Sequence, residues 1–253
     1  MIRNVWVLLA IATFLLSAGW LMKSFPVLIF VGIAPLFALS DIAKDKPSTW
    51  NHLEVILLAF ALSLFFASTF TDTPMILILA HAIAWTLAFA GYLFAHHNLG
   101  SRLGKFTIIF FWLGLEYLAL KLPWRNSAFY LADALSLQTN WWKWNSETGY
   151  LSISLWILVV NLIFYLALFK HSSTNWILVI IAFLLIAGPI MYSMYELKTP
   201  GINRADMIAL YNGEEKSFSK NYHDRGELIT RSSAWVSVLI VLLALVKNKI
   251  KKK

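Results

Sequence analysis

The chain has 253 residues, of which 59% are hydrophobic and only 13% are charged, and its formal net charge at pH 7 is +8. Since soluble domains carry about a quarter charged residues, this composition and a mean hydropathy of +0.68 exclude an ordinary soluble globular protein. The sequence contains no cysteine, which excludes disulfide bonds and thiol chemistry.

Apolar segments of about 17–22 residues recur along the chain, and each is long enough to cross about 30 Å of hydrocarbon as a helix. Lipid cannot hydrogen-bond to exposed backbone groups, so helices are favoured over open strands. The sequence therefore predicts an all-α integral membrane protein with a single transmembrane domain over residues 1–253. The predicted helices, about eight in number, cover residues 4–22, 26–40, 53–70, 75–95, 106–122, 151–169, 175–194 and 232–247.

The first apolar segment begins like a secretory signal. Arg3 precedes its apolar core, and Ser17-Ala18-Gly19 offers small residues for cleavage. The core continues to Met22, however, and a second apolar segment begins a few residues later. We therefore expect the first segment to be retained as a membrane helix.

Lysine and arginine residues between the predicted helices indicate the orientation of the chain. Arg3, Lys105 and the tail 247–253 all lie on one side of the predicted membrane. Because cytoplasmic loops are enriched in basic residues, both termini are expected in the cytoplasm, with segments 122–150 and 195–231 outside. The basic tail also suits contact with anionic lipid headgroups, whereas nucleic acid is not expected as a partner.

Ionisable groups inside predicted membrane helices are candidates for function. Glu116 lies in the helix 106–122, where a carboxyl group is costly and is usually either functional or paired. Two interpretations remain open: a functional acid, and a buried, protonated structural glutamate. In either case we expect Glu116 to face the helical bundle, with Asn161 on the adjoining helix as its first candidate partner. His81 is interpreted as a packing residue.

Aromatic residues concentrate in the external segment 122–150, as Pro123-Trp124 and Trp141-Trp142-Lys143-Trp144. An aromatic belt at the membrane surface explains such tryptophans, because the ring is apolar and its N–H needs a partner. Several aromatic residues in one segment also favour an outward-facing rim that binds a lipid or an acylated peptide. Both interpretations are kept.

Histidine and acidic residues do not form a convincing catalytic or metal-binding pattern. His96 and His97 are adjacent on a helix and point apart, so they are poor joint metal ligands. His223, Asp224 and Glu227 could bind a metal or supply a general base, but a solvated loop face explains them more simply. We therefore predict no metal site, no cofactor and no catalytic residue.

Five short motifs follow one another along the chain. They are the hairpin Gly19–Leu36, the helix segment Phe111–Leu118, the turn Leu122-Pro123-Trp124, the stretch from Glu147-Thr148-Gly149 to Asn161, and Arg225–Arg231. In this order and spacing they resemble the membrane helices of the bacterial apolipoprotein N-acyltransferase family. The resemblance implies an eight-helix membrane fold in the bacterial inner membrane.

The aromatic segment, the membrane acid and these motifs together supply the candidate binding residues, and the resemblance also implies what is missing. The candidate residues for binding a lipid or partner are Glu116, Pro123, Trp124, Trp141, Trp142, Glu147 and Asn161. Family members carry a nitrilase-like domain with a Glu-Lys-Cys catalytic set between their last two helices. Here the external loop 195–231 replaces that domain and is too short for its layered core, so no catalytic residue carries over.

We therefore expect a non-catalytic, acyltransferase-like protein that binds or presents a membrane phospholipid, a lipoprotein or an envelope protein complex. Two alternatives remain. The chain could be the membrane subunit of a split lipoprotein N-acyltransferase that works with a separate nitrilase-like subunit. It could also be an enzyme that acts on lipid by non-cysteine chemistry through Glu116, His223 or Glu227.

Overall fold

The structure is a computed structural model that describes residues 4–22, 26–44, 49–68, 74–100, 104–123, 125–171, 173–214 and 220–251. Regular structure within these residues is entirely helical, without a β-strand. The predicted all-α class is thus confirmed for the part of the chain that the structure describes.

The α-helices of the described residues are, in chain order, α1 (Val5–Leu21), α2 (Ile29–Gly32), α3 (Ala34–Lys44), α4 (Thr49–Ser68), α5 (Met75–Leu99), α6 (Thr107–Lys121), α7 (Asn145–Thr148), α8 (Ser152–Leu168), α9 (Trp176–Tyr195), α10 (Arg204–Asn212), α11 (Lys220–Arg225) and α12 (Leu228–Lys251). Short 3₁₀ turns cover Pro26–Leu28, Arg125–Ser127, Leu131–Leu135 and Thr139–Trp141. Helix is therefore present in each of the predicted apolar segments.

Within the described residues, three helical stretches are long and apolar enough to cross a membrane: Met75–Leu99, Trp176–Tyr195 and Tyr222–Lys249. The other apolar helices are shorter, and a 17-residue helix such as α1 is only about 25 Å long. Length and composition therefore suggest that the protein associates with a membrane. They identify fewer crossing helices than the predicted eight.

The second predicted helix, residues 26–40, is broken in the structure. A 3₁₀ turn leads into α2, and α3 starts after a break at Ile33. Pro35 lies at the beginning of α3, where its missing N–H costs no helical hydrogen bond. The break leaves backbone N–H groups without helical acceptors, and a side chain from α8 supplies one, as described below.

Aromatic rings form a column through the centre of the bundle. The rings of Trp20 and Trp85 stack at 6.5 Å between centroids, and those of Trp85 and Trp112 at 5.1 Å. Phe60 packs edge-on against both Trp85 and Trp112. The column joins α1, α4, α5 and α6 into one core.

Helix α9 lies at the edge of the bundle, where it packs against α8 and the turn Thr139–Trp141. Pro189 inside α9 has no N–H, so the carbonyl of Leu185, four residues earlier, loses its helical donor. The indole Nε1 of Trp156 in α8 donates to that carbonyl over 2.7 Å. This hydrogen bond satisfies the freed acceptor and holds α9 against α8.

The two predicted external segments fold against each other as one layer, which we call the loop layer (residues 125–150 and 200–212). The Arg125 guanidinium donates to the Tyr211 carbonyl over 2.7 Å. The Asn145 amide pairs with both the N–H and the carbonyl of Ile202, each at 2.7 Å. These bonds make the loop layer a folded part of the protein.

At the opposite end of α6, Lys105 is buried rather than free in a basic loop. Its Nζ donates to Asp41 Oδ1 over 2.6 Å and to the Phe37 carbonyl over 2.5 Å. The Tyr165 hydroxyl donates to the other Asp41 oxygen. The charge of Lys105 is therefore paired and ties α3 to α6 and α8.

Candidate functional site

Glu116 faces the interior of the bundle, with 2% of its surface exposed. Its Oε1 accepts a hydrogen bond from the Trp112 indole, one turn earlier in α6, over 3.1 Å. The same oxygen accepts from the Leu131 N–H over 2.8 Å. Glu116 therefore fixes the loop layer to α6. The expected inward orientation is observed, but the contacts differ from the expected partner, Asn161.

Asn161 instead bridges the break between α2 and α3. Its Oδ1 accepts from the N–H groups of Ile33 and Ala34 at 2.7 and 3.1 Å. Its Nδ2 donates to the carbonyls of Ile29 and Ile157 at 2.9 and 2.8 Å. All four bonds are buried, so Asn161 serves the packing of α8 against the first helices and has no spare group for Glu116 or a ligand.

The tryptophans proposed as an external rim do not share one environment. Trp142 is 2% exposed and donates its indole N–H to the Leu135 carbonyl over 3.0 Å. It therefore packs inside the loop layer, contrary to the expected rim. Trp141 is partly buried against the core, and Trp124 lies outside the described residues.

The remaining predicted candidates, Pro123 and Glu147, have exposed side chains. The predicted residues are thus divided between interior packing and the surface of the loop layer. They do not assemble into one site in the part of the chain that the structure describes. The groups that do assemble are different ones.

Glu227 was predicted to lie with His223 and Asp224 on a solvated loop face, but it is buried. It is 1% exposed, and its carboxylate accepts from the N–H groups of Tyr150 and Leu151 at 2.7 and 2.9 Å, and from the Tyr222 hydroxyl at 3.0 Å. Gly149 has φ of +95°, and a Cβ on it would lie 2.4 Å from Glu227 Oε2. Glu227 therefore caps the start of α8, which accounts for the glycine in the Glu147-Thr148-Gly149 motif.

Asp133, which is largely buried, and Arg204, which is partly exposed, form a second group that the prediction missed. The Arg204 guanidinium lies 2.6 Å from Asp133 Oδ2, and the Tyr150 hydroxyl donates to Oδ1 over 2.9 Å. Burial raises the pKa of Asp133, while the neighbouring guanidinium of Arg204 opposes that increase. The partners are 71 residues apart, and no sequence spacing predicts such a pair.

A groove with charged residues at one end runs along the seam between α6 and α12, and we call it the α6–α12 groove. It has a volume of about 450 Å³. Gly114, Ala234 and Ser237 form its floor, since a Cβ on Gly114 would lie 3.1 Å from Ala234 Cα and 3.3 Å from Ser237 Oγ. Leu118 and Trp235 stand beside this floor, with 54% and 68% of their surfaces exposed. Small residues at the seam and large ones beside it produce an apolar channel.

Two cations, Lys121 and Arg231, lie among the residues that line the α6–α12 groove, and none of the described lining residues is acidic. Helix α6 ends at Lys121 and α12 begins at Leu228. Because the two helices run antiparallel, both cations lie at the same end of the groove. The Lys121 Nζ also lies 4.3 Å from the centre of the Tyr211 ring.

Other grooves are formed by described residues as well, and two of similar volume have linings without charge. One, of about 410 Å³, lies between α8, α9 and the start of α12 and includes Trp144 and Pro189. The other, of about 450 Å³, lies between α1 and α4. Charged groups at one end therefore distinguish the α6–α12 groove from these.

Among the described residues, no three histidine, aspartate or glutamate side chains gather closely enough to hold a metal ion. His223 Nδ1 and Asp224 Oδ1 lie 3.6 Å apart, with both side chains largely exposed. Glu227, their expected companion, is occupied with the cap of α8. His223 and Asp224 therefore lie on the surface, whereas Glu227 is buried and stabilises the start of α8.

Comparison with protein-family models, curated proteins and solved structures finds no match for this chain. Its function is therefore inferred from the geometry of its own residues.

Proposed function

We propose that the protein is a non-catalytic, multi-pass protein of the bacterial inner membrane that binds a phospholipid, or the acyl chains of a lipoprotein, in the α6–α12 groove. The groove carries this proposal, because its apolar channel of about 450 Å³ ends at Lys121 and Arg231. An acyl chain suits the apolar floor, and a headgroup phosphate suits the two cations. The resemblance of the short motifs to the apolipoprotein N-acyltransferases supports the same class of ligand.

The positions of the buried acids support a binding role rather than a catalytic one. Glu116 holds the Trp112 indole and the Leu131 N–H, and Glu227 holds the start of α8. A general acid or base must reach a substrate atom within about 3 Å. Both Glu227 oxygens accept backbone N–H groups. The second Glu116 oxygen has no hydrogen-bond partner among the described residues, but it is buried and lines none of the three grooves, so both carboxylates are better suited to fixing the fold.

We further propose that all eight apolar helical segments cross the membrane, with both termini in the cytoplasm and the loop layer outside. The basic bias of the short loops and tail supports this orientation. The shorter helices, such as α6 with 15 residues, are accommodated by local thinning of the bilayer at a modest energetic cost.

This orientation predicts the labelling of introduced cysteines, since the parent sequence has none. A cysteine that replaces Asn126 or Asn212 should react with a membrane-impermeant maleimide in intact spheroplasts. A cysteine that replaces Lys170, in the short connection between α8 and α9, should react only after the membrane is permeabilised. The opposite pattern would show that the orientation is inverted.

Blocking the groove should reduce lipid binding. Val238 lines the groove and is 49% exposed, so Val238→Trp should fill the channel without disturbing the core. We expect about fivefold less phospholipid retained after mild purification, because the loss of several close atom contacts amounts to about 1 kcal/mol. Native mass spectrometry of the purified protein measures the retained lipid directly.

Leu243→Trp is the matched control for this measurement. Leu243 lies on the same helix, is 58% exposed and does not line the groove. It should retain lipid like the parent. Equal retention by all three proteins would rule out the groove as the binding site, and acyl transfer by the purified chain alone would contradict the non-catalytic proposal.

A further inference from the structure

We propose that the α6–α12 groove selects a glycerophospholipid with a net negative headgroup, whose phosphate lies between Lys121 and Arg231. This inference rests on the proposed lipid-binding function and adds the class of headgroup. It follows from the distribution of charge around the groove, which differs from that of the two uncharged grooves.

The floor of the groove offers an acyl chain an apolar surface without free polar groups. Gly114 brings α6 within close contact of Ala234 in α12. The Ser237 hydroxyl at the floor donates to the Ser233 carbonyl of its own helix over 2.9 Å. Its hydrogen-bonding capacity is therefore directed into the helix. Selectivity of this groove must come from its charged end rather than from the floor.

The charged end of the groove presents two cations, Lys121 and Arg231. Both side chains are exposed, and neither forms an ion pair with an acidic residue among those that the structure describes. The Lys121 Nζ lies over the rings of Tyr117 and Tyr211, at 5.4 and 4.3 Å from their centres. These rings restrict the position of Lys121 and leave its charge available.

Two cations that form no ion pair with an acid among the described residues discriminate between headgroups. A phosphate bonds well to both an ammonium and a guanidinium group. The headgroup of a zwitterionic lipid carries, in addition, a cation close to its phosphate, and that cation would lie near Lys121 and Arg231. An anionic headgroup such as glycerol phosphate has no such repulsion. The charge pattern therefore favours an anionic lipid.

The test uses the full-length protein in vesicles that contain phosphatidylcholine and phosphatidylglycerol, with bromine on the acyl chains of one or the other. Bromine quenches nearby tryptophan fluorescence. The signal of Trp235, which lines the groove, is obtained as the difference between the parent and Trp235→Phe. At low salt we expect the affinity of this site for phosphatidylglycerol to be about tenfold higher than for phosphatidylcholine. Each cation near an anionic headgroup adds to the binding free energy.

The double variant Lys121→Gln/Arg231→Gln should reduce this preference to about one, and high salt should weaken it in the parent because exposed charges are screened. The matched control is Lys170→Gln/Lys198→Gln, which removes two exposed cations that do not line the groove. The control should keep the parent preference. All substituted residues are exposed, and an unchanged melting temperature verifies folding.

The possible contrary outcomes overturn different statements. The headgroup inference is overturned by equal quenching by both lipids in the parent, or by an unchanged preference in the double variant. In either case, lipid retention in native mass spectrometry would still support the groove as a lipid-binding site. Loss of the difference between Val238→Trp and Leu243→Trp overturns the lipid-binding proposal itself. Preference for phosphatidylcholine would contradict the assignment of the two cations.

Discussion

Replacing Glu227 by alanine should destabilise the protein by about 3 kcal/mol, because buried donors that lose their acceptor each cost about 1–3 kcal/mol. The donors are the N–H groups of Tyr150 and Leu151 and the Tyr222 hydroxyl. The start of α8 would lose its cap. We expect a lower apparent melting temperature in mild detergent, measured from the loss of helical circular dichroism on heating.

The melting temperature of Glu227→Gln should lie between those of the parent and Glu227→Ala. Its amide keeps one acceptor oxygen but directs an NH₂ group toward a backbone N–H. Glu196→Ala removes the same carboxyl group from an exposed position at the end of α9 and should change the melting temperature little. If Glu227→Ala melts like Glu196→Ala, the buried cap contributes nothing to stability.

Replacing Arg204 by glutamine should cost about 2–3 kcal/mol at neutral pH, somewhat less than for a fully buried ion pair because Arg204 is partly exposed. The substitution leaves Asp133 buried with less compensation for its charge. It also removes the bonds from Arg204 to the carbonyls of Asn126 and Ala128, at 2.6 and 2.9 Å. The loop layer should therefore open more readily.

The effect of Arg204→Gln should depend on pH with a defined sign. Burial raises the pKa of Asp133 in the folded protein, so the folded protein binds this proton more tightly than the unfolded chain does. The resulting stabilisation is complete below the unfolded pKa of about 4 and is lost as the pH rises through the folded pKa. Without Arg204 that folded pKa is higher still. The difference in melting temperature between parent and variant should therefore grow as the pH rises above the unfolded pKa of about 4 toward neutral pH.

A second substitution distinguishes charge burial from lost packing. Arg204→Gln/Asp133→Asn removes the unpaired buried charge, so it should be more stable at neutral pH than Arg204→Gln alone, and its pH dependence should be weaker. Lys198→Gln, an exposed cation on the adjoining connection, serves as the control. A loss of stability that is equal at every pH would contradict the role assigned to Asp133.

Two of the motifs singled out in the sequence meet in the structure at a single point. Gly149 belongs to one and Glu227 to the other, and the absence of a side chain at Gly149 makes room for the Glu227 carboxylate. Neither motif by itself indicates the other as a partner, because the residues are 76–77 apart where the hydrogen bonds form. Their pairing gives a structural reason for both.

The all-helical class and the approximate positions of the helices could be predicted from the sequence alone, because they depend on local composition. A run of apolar residues is sufficient to predict a helix where lipid supplies no hydrogen bonds. The inward orientation of Glu116 follows from the same local cost of exposing a carboxyl group to hydrocarbon. The break at Ile33 had only Gly32 and Pro35 as local signs, and the sequence pattern predicted one helix across it.

The partners of these groups depended on how the helices pack. Asn161 reaches Ile33 across 128 residues, Trp142 turns into the loop layer instead of toward the membrane surface, and Arg204 meets Asp133. The α6–α12 groove exists because Gly114 faces Ala234. Contacts of this kind depend on helix crossing angles and on the routes of the connections, and neither leaves a periodic pattern in the chain. Only the tertiary structure therefore decided which buried groups stabilise the fold and which charged groups remain available to a ligand.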